Sequence, residues 1–487
     1  MIIVDQITQS IQALNPARTC AHTKAQQYYD VVVAELRRGL VMRRKNQTHI
    51  PFRIETVKRA LGRYGNPQQY WWKYLHNTYP LITVIKGGNN LTGEASMVDS
   101  QIPMDVLLAS GDAQAITDAL YADFDGTESI HTVPINQKTL GAYIQSTQAL
   151  VEHKPHLQNH LHKAQLIQAV AQTTGGTLPQ VVNLSNFGRC YYKGLNLQNV
   201  PKVVRHAALG KCWAVDINNS VFQWKMSYLD RSSVQEHRAF TYTRELFDRK
   251  NAIREELAQV VWGNTLPHSI QSIKSVLTAI SFGARRTGAC WFRDAAGQWQ
   301  SNAIGSIIRD AEHRERLFNN TWFQGFCAEQ RILDDMIYQD FRENHTLSEQ
   351  QLTEVKTDGG KWNRSRTISY AYQQAEAEAR NILMTALAPY EILLQVHDCV
   401  YVRHEPDVRN AQLPLQNLWP WATLSKEQVD PWLYNNSAQK LSHQDRIDLE
   451  EYLSKQISSK NQFWETTHHD DFDNRLLLKK RLMQLGG

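Results

Sequence analysis

Two short apolar runs in this chain each end in an aspartate. Cys212-Trp213-Ala214-Val215 leads into Asp216, and Ile392-Leu393-Leu394-Gln395-Val396-His397 leads into Asp398. After Asp398 the apolar pattern resumes as Cys399-Val400-Tyr401-Val402. Burying a lone carboxylate at the end of an apolar strand is unfavourable. Such a breach of local pattern is where function is expected. Two such carboxylates on adjacent strands suit a pair of Mg²⁺ ions about 3.5–4 Å apart, the arrangement used for in-line phosphoryl displacement. The competing reading is two ordinary strand-end aspartates that meet helix N-termini.

These strands also set the fold class. From about residue 180 short hydrophobic runs alternate with long polar helices, an α+β pattern. Upstream, residues 1–45 read as helix, with Tyr29, Val32, Val33, Leu36 and Leu40 at helical spacing and a basic end at Arg37, Arg38, Arg43, Arg44 and Lys45. Residues 53–75 interleave cations with rings (Arg53, Lys58, Arg59, Arg63, Tyr64, Tyr70, Trp71, Trp72, Lys73, Tyr74), which suits either a strand-binding surface or core aromatics edged by surface cations. Residues 87–112 read as a loop or boundary, and 135–172 as helix. Asp123 and Asp125 read as a turn.

A chain of 487 residues corresponds to roughly three domains, or one multi-lobed unit. Lys and Arg number 53 against 48 Asp and Glu, and a net charge of +5 neither requires nor excludes a nucleic-acid partner. The six cysteines form no CxxC pair, so reduced thiols are expected rather than a zinc ribbon or disulfide framework. No basic n-region opens the sequence, and no apolar run approaches the ~18 residues of a membrane span. A cytoplasmic location without a membrane partner is the expectation.

Two further segments carry chemistry. A helix is expected over roughly 268–283, where Lys274, Thr278 and Phe282 recur every fourth residue and so share one face. A cation two turns before a ring suits a triphosphate-and-base platform. Gly283 and the basic pair Arg285 and Arg286 follow. Before Asp216, Gly188-Arg189 is followed by Asn196-Leu197-Gln198-Asn199-Val200-Pro201, then Lys202 and Arg205. Asn and Gln suit minor-groove base edges, and Arg suits phosphate.

Taken together and in this order, the four elements resemble family A DNA polymerases, in the superfamily shared with phage-type single-subunit RNA polymerases. Gly188-Arg189 to Pro201 resembles that family's "GR … NLQN-x-P" element. Cys212–Gln223 resembles its motif A, Lys274–Gly283 its motif B, and Leu394-Gln395-Val396-His397-Asp398 its motif C. The resemblance covers roughly residues 185–405. It implies a right-hand fold of palm, fingers and thumb. It implies two Mg²⁺ ions (Mn²⁺ as an alternative) on Asp216, Asp398 and the backbone carbonyl of Ile217. It places Lys274 on the triphosphate, Phe282 beside the nascent pair with Thr278 on the same helix face, and His397 beside the primer terminus. Arg189, Asn196 and Gln198 would face duplex or primer, Arg285 and Arg286 the backbone, and Gln373 a groove.

The chain departs from the family at telling positions. DNA polymerases of this family carry Glu five residues after the motif A Asp, as a steric gate against the ribose 2′-hydroxyl; here that residue is Val221. The pattern Asp216, Ser220, Gln223 is similar to that of phage-type RNA polymerases, Phe282 stands where both groups commonly carry Tyr, and Cys399 stands where DNA polymerases often carry Glu.

The expected organisation is an N-terminal helical module over 1–110, thumb-like helices over 111–184, palm over 185–235 and 385–420, fingers over 236–384, and a C-terminal extension over 421–487. The extension holds the run His468–Asp473, read as a solvated linker, and a basic helix over 475–485. The expected activity is primer extension from nucleoside triphosphates without proofreading, on a primer-template partner. An accessory protein at either terminal extension is also expected. The alternatives are RNA synthesis or loose sugar choice, template-independent tailing, and an inactive nucleic-acid-binding homologue.

Overall fold

The computed structural model describes residues 2–14, 20–42, 49–64, 69–88, 95–108, 113–121, 124, 129–151, 157–231, 240–284, 291–293, 299–357 and 359–430. Helices dominate, and the strands form small antiparallel sheets.

The N-terminal part is built on a long helix, α1 (Ala21–Met42), that buries Tyr28, Val32, Val33, Leu36 and Leu40. The helical reading of this region holds, but a separate helix, Ile2–Leu14, precedes α1. Gly39 allows α1 to lie directly on the strand Ile50–Phe52, because a Cβ there would sit 2.2 Å from the Pro51 carbonyl oxygen. Ile50–Phe52 pairs with Ser96–Ser100, which pairs in turn with Ile82–Lys86. The stretch 87–112, expected as loop, therefore holds the central strand of a sheet and the short helix Met104–Leu107.

The ring-rich stretch after Arg53 is resolved in favour of core. Trp71 and Trp72 are buried, Tyr64 packs on Trp71 and Tyr28 on Trp72. Arg53 is held by Glu35 through Nε and Nη2, at 2.9 and 3.1 Å. A second three-stranded sheet (Ile130–Pro134, Thr177–Leu184, Cys190–Lys193) brackets the helix Gln137–Val151 and the buried helix α2 (Gln158–Thr173).

The centre of the molecule is a four-stranded antiparallel sheet. Its strands are β1 (Cys212–Ile217), β2 (Ile392–Val396), β3 (Cys399–Val402) and β4 (Leu424–Val429), in spatial order β2-β3-β1-β4. Period-two alternation gives the sheet two different faces. Cys212 and Ala214 of β1, with Tyr401 of β3, join a core that runs back through the N-terminal part to Val4. Val215 and Ile217, with Val400 and Val402, join a second core made by the later helices. Strand β4 lies within the segment expected as a C-terminal extension; it closes the sheet edge against β1.

The second core is helical. It packs α3 (Ser220–Arg231), α4 (Lys250–Trp262), α5 (Pro267–Ser281), α6 (Thr321–Asn344) and α7 (Arg364–Leu387). Pro267 at the first turn of α5 and left-handed Gly263 closing α4 punctuate the tight turn between these two helices. Among the described residues no helix is long and apolar enough to cross a membrane. Residues 431–487, Asp123, Asp125 and Arg43–Lys45 lie outside the described residues.

Candidate active site

Strand pairing brings the two aspartates together. Cys399 of β3 is the register partner of Asp216 on β1, and Asp398 occupies the turn between β2 and β3. The Ile217 N–H donates to the Asp398 carbonyl (3.2 Å), which ties the two segments. Backbone strain marks the same place. His397 (φ 53°) and Asn219 (φ 46°) both adopt the left-handed region, which non-glycine residues occupy at a cost of order 1–3 kcal/mol.

The two carboxylates are not equivalent. Asp398 Oδ2 accepts from Ser220 Oγ at 2.6 Å. Burial, and then the neighbouring charge of Asp398, raise the Asp216 carboxyl to about 7, against the pull of Lys274, Lys202 and Lys250. Cys399, between them, is held well above the usual thiol range by burial and by both carboxylates, so it is a thiol rather than a nucleophilic thiolate. Two like charges forced together, offering hard oxygen donors, fit a divalent cation such as Mg²⁺. Among the described residues no cluster of three or more His, Cys, Asp or Glu forms a fuller ligand set.

Cations face this pair from two helices. Lys274 of α5 is exposed. Lys250 and Arg254 stand four residues apart on α4, hence on one face. Lys250 is pushed down by burial, then by Arg254 and Lys274, and pulled up by Asp216, so Lys250 senses all three of these charges. Arg254 donates from Nη2 to Asn219 Oδ1 (3.2 Å), while its buried Nε has no partner among the described residues. None of the three cations forms a carboxylate ion pair among the described residues. Lys250 and Arg254 were not singled out from the sequence; their four-residue spacing was the available signal.

Thr278 Oγ1 donates to the Lys274 carbonyl, within its own helix. Phe282 does not continue the α5 face, as the four-residue repeat implied. It caps the helix, in the turn that Gly283 (φ 80°) completes, and its ring meets Tyr372 of α7 edge-on at 5.5 Å. Val221 is buried in the second core. Gln223 is buried too, and exchanges two hydrogen bonds with Thr423, at 2.7 and 3.0 Å, pinning the entry to β4.

Arg189 follows Gly188, whose φ of 79° turns the chain and whose missing side chain lets it approach Ala377 of α7. Arg189 Nε donates to His397 Nδ1 (3.2 Å) and pairs with Glu376 Oε2 (3.0 Å). His397 is lowered to about 4, by burial first and then by Arg189 and Arg205. It is thus neutral at pH 7, as its acceptor role requires. Ser220 Oγ and Tyr372 Oη lie 2.7 Å apart, and the Tyr372 hydroxyl reaches Glu376 Oε1 at 3.2 Å. Glu376, 3% exposed, was also missed by sequence reading; it sits one turn after Tyr372 on α7.

Asn196 and Gln198, expected to face duplex, turn inward instead. Asn196 donates to the Tyr192 and Gly194 carbonyls and accepts from the Asn199 N–H, closing its own turn. Gln198 donates to the Cys190 carbonyl (3.1 Å). Both are satisfying main-chain groups of a tight turn, the usual work of Asn and Gln in such segments. Gln373 is buried and accepts weakly from Ser185 Oγ (3.4 Å). Arg285 and Arg286 lie outside the described residues.

No family model matches this sequence, and no curated protein does. Among solved structures the chain is similar to the POL domain of Pol1 from M. smegmatis in complex with DNA primer-template and dNTP. The identity is 12% and the TM-score 0.39, over 67% of this chain and 72% of that one.

Proposed function

We propose that this chain is a template-directed DNA polymerase that joins nucleotides to a primer 3′-hydroxyl and releases pyrophosphate. One observation carries the reading. Two carboxylates, one on β1 and one in the neighbouring β2–β3 turn, lie beside Lys274 and Lys250, and these two cations and Arg254, next to Lys250, lack carboxylate partners among the described residues. A nucleoside triphosphate supplies what each group lacks: negative charge for the cations and, with its metal ions, positive charge for the carboxylates.

The residues divide the task. Asp216 and Asp398, with the Ile217 carbonyl, would hold two Mg²⁺ ions, which supply Lewis-acid neutralisation of charge at the transferred phosphoryl group. Lys274, Lys250 and Arg254 bind and orient the triphosphate. Phe282, backed by Tyr372, offers its ring to the incoming base, with Thr278 a turn before it. Arg189 and the neutral His397 lie beside Asp398, where a primer terminus must arrive. Gln373 is the remaining groove-contact candidate. Motif order and the resemblance to family A polymerases support the palm-and-fingers assignment of the central sheet and later helices.

The second reading is RNA synthesis or loose sugar choice. Val221 favours it, because a buried valine places no carboxylate against a 2′-hydroxyl. The test is extension of a labelled primer on DNA and RNA templates, with dNTPs and rNTPs in parallel arms. Template-complementary extension with dNTPs is expected. Lys250→Ala and Arg254→Ala should each raise the nucleotide KM by roughly 10-fold or more, the worth of a charge-assisted hydrogen bond. No extension in any arm would overturn the reading, and extension with rNTPs alone would replace it by the second.

A further inference from the structure

Three oxygen-to-oxygen links run in series from Glu376 to Asp398. Glu376 Oε1 and Tyr372 Oη are 3.2 Å apart, Tyr372 Oη and Ser220 Oγ 2.7 Å, and Ser220 Oγ and Asp398 Oδ2 2.6 Å. Each link needs one proton. The two hydroxyls supply two, and an ionised carboxylate supplies none. With both carboxyls ionised, Tyr372 and Ser220 would each donate outward. Their oxygens would then face each other at 2.7 Å with no proton between them, in a buried setting where such a mismatch is costly. One carboxyl at the end of the chain must therefore carry the third proton. With Asp398 ionised to hold a cation, that carboxyl is Glu376.

The surroundings of Glu376 suit this. Arg189 Nε lies 3.0 Å from Oε2, while Oε1 faces the Tyr372 hydroxyl at 3.2 Å, which makes Oε1 the oxygen to carry the proton. The charged and titratable groups that face it are Arg189 from the Gly188 turn, Asp398 from the β2–β3 turn, and Tyr372 and Arg380 from its own helix. Arg380 also donates to the Gly188 carbonyl (2.9 Å). Burial is the largest influence and lifts the carboxyl to about 7; Arg189 opposes it, and the charge of Asp398 adds to it.

We propose that Glu376 is a positioning residue. In its protonated form it heads a chain of donated hydrogen bonds, through Tyr372 and Ser220, that fixes the orientation of the Asp398 carboxylate. Its other oxygen lies 3.0 Å from the Arg189 Nε that donates to His397. The inference deepens the polymerase reading and rests on it for the ionised state of Asp398.

Glu376→Gln tests it, because the amide donates permanently to Tyr372 while its carbonyl oxygen stays beside the Arg189 guanidinium. In primer extension, Glu376→Gln should stay close to wild type. Glu376→Ala and Tyr372→Phe should each lower kcat by roughly 10-fold, the worth of a broken buried hydrogen bond, with little change in nucleotide KM. Equal impairment of Glu376→Gln and Glu376→Ala at pH 6 would overturn the proposal.

A second arm does not depend on activity. A carboxyl raised to about 7 in the folded state contributes stability that is present below the unfolded value and is lost as pH rises through about 7. In thermal denaturation with saturating Mg²⁺, wild type should therefore lose more Tm than Glu376→Gln between pH 5 and 8. Parallel curves would overturn the proposal. Diverging curves in a chain that extends no primer would uphold the relay and sink the polymerase reading instead.

Discussion

Two sets of buried charge meet α3, one at its start and one midway along it, and they are built in opposite ways. Midway along the helix, Lys225 is wholly buried, yet its ammonium donates to Asp334 Oδ1 (2.5 Å), Gln330 Oε1 (3.0 Å) and the Ser281 carbonyl (2.5 Å). All three of its donors are used, and its partner carries the opposite charge. This pair fastens α3 and α6 to the end of α5. At the start of the helix, Asp216 and Asp398 carry the same charge, and Lys274, Lys250 and Arg254 nearby form no carboxylate ion pairs among the described residues, whereas Lys202, which also acts on Asp216, pairs with Glu427. A charge that the fold satisfies by itself is architecture. A charge that the fold gathers and leaves unsatisfied is waiting for a ligand.

The largest consequence falls on the unsatisfied pair. Asp216→Asn or Asp398→Asn should abolish primer extension, by ~10³-fold or more, if those oxygens hold the ions that supply several kcal/mol of charge stabilisation. Stability should move the other way. Asp216 is raised to about 7 in the folded chain, so ionising it costs stability as pH rises from its unfolded range near 4 through 7. Without metal, Asp216→Asn should abolish that loss and be more stable than wild type at pH 8, as read by thermal denaturation across pH. Robust extension by both variants would erase the distinction between the two sites.

The satisfied pair should fail in the reverse manner. Lys225→Met leaves the Asp334 carboxylate buried without its cation and should cost about 3–5 kcal/mol of folding stability, measured by denaturant unfolding. Lys225→Met with Asp334→Leu should recover at least part of that cost, because an apolar pair of similar volume can replace a buried ion pair. If the single variant were as stable as wild type and yet inactive, Lys225 would belong with the functional charges.

The contrast also shows what a sequence can and cannot display. Asp216 and Asp398 were legible because each interrupts an apolar run, and β pairing of such runs is what brings them together. The helices Ala21–Met42 and Pro267–Ser281 were legible through their periodicity. The partners that finish the site were not. Arg189 and Glu376 meet although far apart along the chain, and nothing local in either segment marks the other. Lys250 and Arg254 look like any solvated helix face until Asn219 and Asp216 are placed beside them. Lys225 reads as a surface lysine in sequence and is among the most deeply buried side chains in the fold. The strand Ser96–Ser100 was hidden because Gly87-Gly88 ahead of it reads as punctuation and its own alternation is short.

The smallest effect expected concerns Asn196, where motif resemblance and geometry diverge. Resemblance would give it a base edge. The structure gives it two main-chain carbonyls and one main-chain N–H, all within its own turn, and leaves it 2% exposed. A side chain so committed belongs with Lys225 rather than with Asp216. Asn196→Ala should cost about 1 kcal/mol or somewhat more of stability, since it strips partners from buried main-chain groups. Measured well below the melting temperature, primer affinity should then be unchanged. A loss of primer affinity at unaltered stability would mean that the turn opens to admit nucleic acid, and Asn196 would cross from the satisfied set to the functional one.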